Sequence, residues 1–378
     1  MTIRILLTGG GSGGHIIPLV AVARKIQESV DSAKTMVTIQ YFGNPGIYRE
    51  YLLESGIGIT PVAESKFRRY FDLKNFLDIF KFIFSLLQSF WKVFLYMPDV
   101  TFSKGGPGVL SVITACRFYR IPIIVHESDA VAGITNRISA KSARILEVAF
   151  PSAARVVGKK TQVNLVGLPI REDLTPDKSV EDSRKLFKFE SHKPCVFFMG
   201  GSQGAEKINT FIIENLEQLL TAFNVVHQVG PKNYERYKNE FTFMSEKLKE
   251  EQIKSYFFAP YFGPDLRDAF NAAEVVVSRA GASSIFEIAS LGKPAILVPL
   301  ADSANDHQRQ NAYEYEKAGA GTVLLEENLL PTLLITEIQS ILNNPERKTK
   351  MSEAAKKFFI PNAAEKIAKD VLEVAVGK

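Results

Sequence analysis

The chain has 378 residues, 46% hydrophobic and 23% charged, with a formal net charge of +5. That length exceeds one ordinary core and predicts two domains of about 150–200 residues, while the composition excludes a disordered chain and the mild charge calls for no nucleic-acid partner. The two cysteines, Cys116 and Cys195, lie in or beside apolar stretches and read as buried thiols of a reducing compartment, not as a disulfide framework or zinc site.

The opening apolar run, Ile3 to Leu7, leads into glycines and not into a cleavage site, so no signal peptide is expected. Residues 8–18 read TGGGSGGHIIP. The spacing Gly9-x-Gly11-x-x-Gly14 matches the dinucleotide fingerprint, but that unit also needs an acid at the end of its second strand. The strand MVTIQYFGNP offers Gln40, Tyr41 and Phe42 there, with no carboxylate. No Gly-Lys-Ser/Thr follows, which excludes a kinase-type phosphate loop. What remains is a glycine loop at a helix N-terminus, able to hold an anion through backbone N–H groups. His15, on the first helical turn, is placed to take a proton from a hydroxyl; a capping or packing role is its plainer alternative.

Further strands are expected at Met36–Phe42, Gly58–Ala63, Asp99–Ser103, Ile121–His126 and Arg144–Ala149, with helices starting near Ile16, Pro45, Asn75, Pro107 and Ala132. This alternation predicts a doubly wound parallel sheet. Residues 67–97 (FRRYFDLKNFLDIFKFIFSLLQSFWKVFLYM) are dense in Phe, Leu and Ile and hold the only tryptophan, Trp91. Asp78, Lys81 and Lys92 interrupt them, so a membrane span is not expected. They read as one long or two short helices, either buried or lying on a membrane with Arg68, Arg69, Lys74 and Lys81 near anionic headgroups.

Around Val163–Pro176 the pattern breaks into a Gly/Pro-punctuated connector. A second series follows, at Cys195–Met199, Phe223–Gln228, Ser255–Ala259, Glu274–Ser278, Ala295–Pro299 and Thr322–Leu325. It opens as the first did, CVFFMGGSQGAEKIN against IRILLTGGGSGGHII, which predicts two Rossmann-type halves holding a ligand in the cleft they face. In SRAGASSIFEIASLGKPAILVPL (278–300) small hydroxyl residues at a helix start suit a diphosphate, and Glu287 suits the two hydroxyls of a ribose. Ser284-x-x-Glu287 equally fits a capping box. The polar run Asn305–Asn311 offers amides to a sugar, or is a solvated helix start. Met351–Lys378 reads as one or two helices.

The loops GGGSGGH, GGSQGA (200–205) and SRAGASSIFEIASLGKPAILVP, with DHQRQNA, resemble the GT-B nucleotide-sugar glycosyltransferases, and more narrowly the MurG family. HESDAVAGITNRISAKSARILEVAF (126–150) and GLPIR (167–171) resemble that family's fifth-strand loop and interdomain Gly-x-Pro-x-Arg. The likeness runs from Met1 past residue 320. It implies an α/β GT-B fold: an acceptor- and membrane-binding domain (1–164), a UDP-sugar domain (165–355) and a helix (356–378) packing back on the first. It implies inverting transfer of N-acetylglucosamine from UDP-N-acetylglucosamine to the 4-hydroxyl of undecaprenyl-diphosphate-linked N-acetylmuramoyl-pentapeptide, a step of cell-wall peptidoglycan synthesis and so of cell shape and division. His15 would be the base; Ser12, Gly13, Gly14 and Asp129 would meet the acceptor. Arg171, Ser202, Gly263 and Ala282, Ser283, Ser284, Ile285 and Glu287 would hold UDP, and Gln308 the transferred sugar. Asp129 stands where many members carry asparagine. No Asp-x-Asp pair occurs, so no metal or other cofactor is expected. Residues 67–97 fall at the family's membrane-associating patch, implying a peripheral protein on the cytoplasmic face. The alternatives are a diacylglycerol glycosyltransferase, a non-catalytic membrane-recruiting subunit of the same fold and a nucleotide-sugar epimerase.

Overall fold

Short apolar runs separated by helical patterns fold here as two parallel sheets, each wrapped by its own helices. The computed structural model describes residues 2–33, 36–64, 74–156, 161–189, 192–201 and 204–377. It divides into one unit of Met1–Ile170 with Ile360–Lys378 and a second of Arg171–Phe359. The first division falls beyond the expected residue 164, because Val166 is buried in the first core and Leu168 is likewise covered, and the second beyond residue 355, because Phe358 packs on Phe286 and Tyr315.

In the first unit the order is β1 (Thr2–Thr8), α1 (Gly13–Ala33), β2 (Met36–Gly43), α2 (Arg49–Glu54), β3 (Gly58–Pro61), α3 (Lys74–Tyr96), β4 (Val100–Ser103), α4 (Val109–Phe118), β5 (Ile123–Glu127), α5 (Ile134–Ala140), β6 (Ile145–Val148) and β7 (Gln162–Leu165). All seven strands are parallel, in the order β3-β2-β1-β4-β5-β6-β7. β4, β5 and β6 are buried along their whole length, as strands covered on both faces must be. β7 corrects the expectation of an irregular connector: it is a short, largely exposed edge strand with no apolar run to announce it.

The second unit runs α6 (Val180–Leu186), β8 (Cys195–Met199), α7 (Glu206–Glu214), α8 (Leu216–Ala222), β9 (Asn224–Gln228), α9 (Tyr234–Ser245), α10 (Glu250–Ile253), β10 (Tyr256–Ala259), α11 (Leu266–Ala272), β11 (Val275–Ser278), α12 (Ala282–Ser290), β12 (Ala295–Leu297), α13 (His307–Lys317), β13 (Gly321–Val323), α14 (Pro331–Leu342) and α15 (Pro345–Phe358). Its six strands are parallel, ordered β10-β9-β8-β11-β12-β13. Cys116 and Cys195 are buried and unbonded to each other.

The chain then returns to the first unit as α16 (Ala363–Ala375). Ile367, Ala368, Val371 and Val374 repeat at helical spacing and close the same core as Leu19, Val22, Ala23 and Ile26 of α1. Below this helix Glu147 of β6 is fully buried, and neither carboxyl oxygen has a hydrogen-bond partner among the described residues. Burial, with Asp370 of α16 adding like charge, holds it well above the usual carboxylate range. A carboxyl protonated in the fold but ionised in the unfolded chain costs stability, increasingly so as pH rises from its unfolded value toward its folded one. Glu147→Gln presents an amide donor to Asp370 without that cost. We expect it to raise the melting temperature by about 2–4 °C at pH 8 and to leave it nearly unchanged at pH 4.5, as differential scanning calorimetry would show.

α3 is one long helix, and residues 67–73 lie outside the described residues. Ile79–Tyr96 is long and apolar enough to cross a membrane by length and composition, against the expectation drawn from Lys81 and Lys92. Yet one stripe is bound to the unit. Ser85 and Ser89 donate to Ser111 of α4 (2.8 and 3.1 Å), and Val93 is in the core. On the opposite side Ile79, Phe80, Ile83, Phe84, Leu87, Trp91, Phe94 and Leu95 are all exposed.

Candidate active site

Ligands of open parallel sheets bind at the carboxyl ends of strands where the strand order reverses. In the first unit that point lies between β1 and β4, and two glycine-bearing loops meet there. Gly10 N–H donates to Gly105 O (2.8 Å) and Lys104 N–H to Thr8 O (2.9 Å). Gly105 sits at φ +77, and a methyl group there would lie 2.2 Å from Asn136 Oδ1, so no other residue fits.

α1 starts immediately after Ser12, whose carbonyl accepts from His15 and Ile16 N–H (both 3.0 Å). Ser12 Oγ lies 2.7 Å from His15 Nδ1. When Nδ1–H donates to that hydroxyl, Nε2 carries the lone pair. Burial, reinforced by the Lys104 ammonium, lowers the imidazole to about 4, so it is neutral throughout the physiological range.

The loops after β4 and β5 form a polar floor that the sequence reading missed. Lys104, 2% exposed, donates through Nζ to His126 Nδ1 (2.7 Å) and to Ser128 Oγ. His126 Nε2–H donates to Gly167 O (2.9 Å), which leaves Nδ1 as the acceptor. Glu127 accepts from the N–H groups of Asp129 and Gly133 (3.0 and 3.1 Å) and from Asn136 Nδ2 (2.9 Å). Asp129 is thus held on this floor, where its charge acts on Lys104 and Glu127.

A methyl group at Gly14 would meet no atom within 4 Å, although Gly14 lies on the first turn of α1. Alanine is also the better helix former. Gly14→Ala is therefore expected to leave stability unchanged or slightly raised, and, if a substrate occupies the space beside this loop, to raise that substrate's KM about tenfold or more, a free-energy loss of about 1.4 kcal/mol. An unchanged KM in steady-state kinetics would remove Gly14 from the site.

In the second unit the corresponding point lies between β8 and β11. Arg171 Nη2 donates to Asp173 (2.6 Å) and to Gly263 O (2.9 Å), and Nε to Asp173 (2.7 Å). Glu287 lies within electrostatic reach of Arg171, and its carboxyl is raised to about 7 by burial against the pull of that guanidinium. α12 begins at Ala282 with Gly281 as its cap and no side-chain cap bond, so the Ser284–Glu287 capping box does not form and Glu287 is not spent on one. Ile285 N–H reaches back to Gly281 O (3.1 Å), leaving the N–H groups of Ala282, Ser283 and Ser284 at the open helix end. Ile285 has the least to offer a ligand: its side chain is in the core and its N–H is used. Gln308 Oε1 accepts from Leu300 N–H (3.1 Å), at the start of a helix entered through two consecutive left-handed residues, Asn305 (φ 57) and Asp306 (φ 55). Asn and Asp tolerate that conformation best after glycine. The 305–311 run is not merely a solvated helix start, since Asn311 is buried and donates to Ala280 O (3.2 Å). Ser202 lies outside the described residues.

The β11 loop is braced by a buried ion pair that sequence reasoning did not find. Arg279 donates to Glu326 (2.5 Å) and to Val298 O (3.1 Å), and Glu326 also accepts from Lys207 (3.1 Å) and Ala301 N–H (3.4 Å). Burial opposes the ionised form of Glu326, but these donors hold its carboxyl below the usual range.

Residues 5–146 match the family model of the glycosyltransferase family 28 N-terminal domain, and residues 195–367 that of its C-terminal domain. The UDP-N-acetylglucosamine–N-acetylmuramyl-(pentapeptide) pyrophosphoryl-undecaprenol N-acetylglucosamine transferase of Clostridium tetani is 34% identical over 97% of this chain and 98% of its own. The enzyme of the same name from Clostridium kluyveri is 36% identical over 89% and 91%. Among solved structures, Acinetobacter baumannii MurG superposes with a TM-score of 0.74 at 23% identity, covering 98% and 99% of the two chains. The UDP-GlcNAc 2-epimerase of Neisseria meningitidis shares the fold alone, at a TM-score of 0.64 and 13% identity over 99% and 100%. With both of its domain models matched and full-length relatives above 30% identity, this chain belongs to glycosyltransferase family 28, in its MurG branch, on a GT-B fold.

Proposed function

We propose that this protein transfers N-acetylglucosamine from UDP-N-acetylglucosamine to the 4-hydroxyl of undecaprenyl-diphosphate-linked N-acetylmuramoyl-pentapeptide, the step of peptidoglycan synthesis named for its clostridial relatives. The observation that carries the reading is a division of labour. One unit holds an uncharged imidazole on a glycine loop, and the other holds a guanidinium, a carboxyl and an open helix end suited to a nucleoside diphosphate.

The acceptor hydroxyl oxygen attacks the anomeric carbon in a single displacement that inverts it. The bond to the diphosphate oxygen breaks as the new one forms, and UDP leaves with the electron pair. His15 Nε2 takes the hydroxyl proton. The N–H groups at the start of α12 and the Arg171 guanidinium meet the charge that gathers on the departing diphosphate, already oriented before reaction. Glu287 accepts from the ribose hydroxyls, and Gln308 orients the transferred sugar. In this reading the protein's own donors carry the diphosphate charge, and no metal is called for.

The outward apolar face of α3 is read as a membrane-lying surface, its two serines and Val93 holding the helix flat on the unit and so along the bilayer and not across it. This makes the protein peripheral, on the cytoplasmic face where its nucleotide substrate is available. Phe84→Ser with Trp91→Ser is expected to abolish most co-sedimentation with anionic phospholipid vesicles while leaving UDP affinity unchanged. Equal sedimentation would sink the surface assignment.

UDP release tests the activity itself. Release from UDP-N-acetylglucosamine that requires the undecaprenyl-linked acceptor supports the reading. Release without acceptor would indicate an epimerase, and turnover only with UDP-glucose and diacylglycerol would move the protein to the glycolipid synthases.

A further inference from the structure

We propose that Lys104 is a positioning residue of the transfer: a buried ammonium at the reversal point of the first sheet that ties three loops together and keeps His15 in its proton-accepting form. The inference deepens the reading of His15 as the base, and rests on it.

The geometry begins with where Lys104 stands. It follows the last residue of β4, so its backbone faces the loop after β1, and Lys104 N–H donates to Thr8 O (2.9 Å). Its side chain runs the other way, to His126 and Ser128 at the end of β5. One residue therefore fastens the loops after β1, β4 and β5. The glycines that follow it lie against the base itself. A methyl group at Gly106 would be 3.1 Å from His15 Nε2, and one at Gly9 would be 3.4 Å from both His15 Cβ and Lys104 Cβ.

A lysine almost never loses its solvent unless paired. Here its two hydrogen-bond partners are neutral, because His126 must donate from Nε2 to Gly167 O and so offers only a lone pair. Glu127 at the end of β5, Asp129 after it, and Glu147 from β6 surround it by charge and favour the ammonium. Asp370 of α16 faces Glu147 in turn. Burial lowers Lys104 to about 8, so the charge is present at every pH at which His15 titrates. The Lys104 cation, second to burial, penalises the imidazolium and leaves the neutral ring unaffected. The acceptor's hydroxyl proton then finds an unprotonated lone pair at neutral pH.

The test is a histidine titration by NMR on the full-length protein, following the imidazole C2 signals of His15, His126, His192, His227 and His307, with His15→Ala identifying the first. Lys104→Gln removes the charge but keeps donors for His126 and Ser128, and Lys104→Arg keeps the charge. The His15 midpoint is expected to rise by about half a unit or more in Lys104→Gln, roughly threefold in protonation constant. It should stay within about 0.2 of wild type in Lys104→Arg. The acid limb of kcat/KM should move with the NMR midpoint, which a purely structural lysine would not cause. Should Lys104→Gln fail to fold, Lys104→Met fills the same volume without a charge and carries the same test. An unmoved midpoint in the folded neutral variant overturns the proposal and assigns the neutrality of His15 to burial alone. The titration needs no substrate, so its failure bears on Lys104, whereas failure of acceptor-dependent UDP release bears on the transfer reaction.

Discussion

His15→Ala is expected to lower kcat by at least a hundredfold, within the factor of about 10²–10⁴ that general-base assistance supplies, with UDP affinity unchanged. The ring belongs to the first unit, while Arg171 and Glu287, proposed to hold the nucleotide, belong to the second. The pH profile gives the complementary result. Because burial and Lys104 lower the imidazole to about 4, the base is unprotonated above about pH 5, and its acid limb in kcat/KM, which reports the free enzyme, falls near pH 4 and not near 6.5. Ser12→Ala should retain most of the donor affinity and lose part of kcat, since the hydroxyl 2.7 Å from Nδ1 fixes the ring of the proposed base, and Arg171 and Glu287 lie in the other unit. Loss of kcat by less than about threefold in His15→Ala would mean that the proton leaves by another route.

The second large effect is on stability. Glu326→Ala leaves the Arg279 guanidinium, 7% exposed, without its carboxylate. Removing one partner of a buried pair costs about 3–5 kcal/mol, so urea unfolding of the second unit should shift by that amount. The same substitution frees the loop between β11 and α12, whose N–H groups are proposed to meet the diphosphate, and UDP affinity should fall with it. Replacing both partners, Arg279→Met with Glu326→Leu, should recover most of the stability, because two apolar side chains avoid the desolvation that the pair incurs. If the single variant is as stable as wild type, the pair contributes nothing and the loop is held by Asn311 and Val298 O alone.

The legible part of this protein was what repeats locally. Alternating apolar runs announced every strand except β7, and its failure is instructive: Gln162–Leu165 is an edge strand with only partial cover, so its sequence carries no buried pattern. The glycine loop and His15 are consecutive residues and stand out on their own. The floor beneath them does not, because Lys104 meets His126 and Ser128 over 22 and 24 residues, and Arg279 meets Glu326 over 47. Pairing at that separation is fixed by which strands become neighbours, a property of the sheet and not of any short stretch. A signal was nevertheless available in Ser103-Lys104-Gly105-Gly106-Pro107-Gly108, a second glycine cluster at a strand's carboxyl end, where ligands of such sheets bind. In the second unit the capping-box spacing misled in the opposite direction, since the helix is capped by Gly281, three residues before Ser284.

The return of the chain to its first unit sets the order in which the protein can be built during translation. Residues 171–359 are complete as a unit once Phe359 has been made, whereas the core beneath α1 still lacks Ile367, Ala368, Val371 and Val374. The half encoded second is therefore the half that can close first, and the nascent first unit waits with apolar surface uncovered, an interval in which chaperones act. Shortening the chain after residue 359 would damage its beginning and spare its middle.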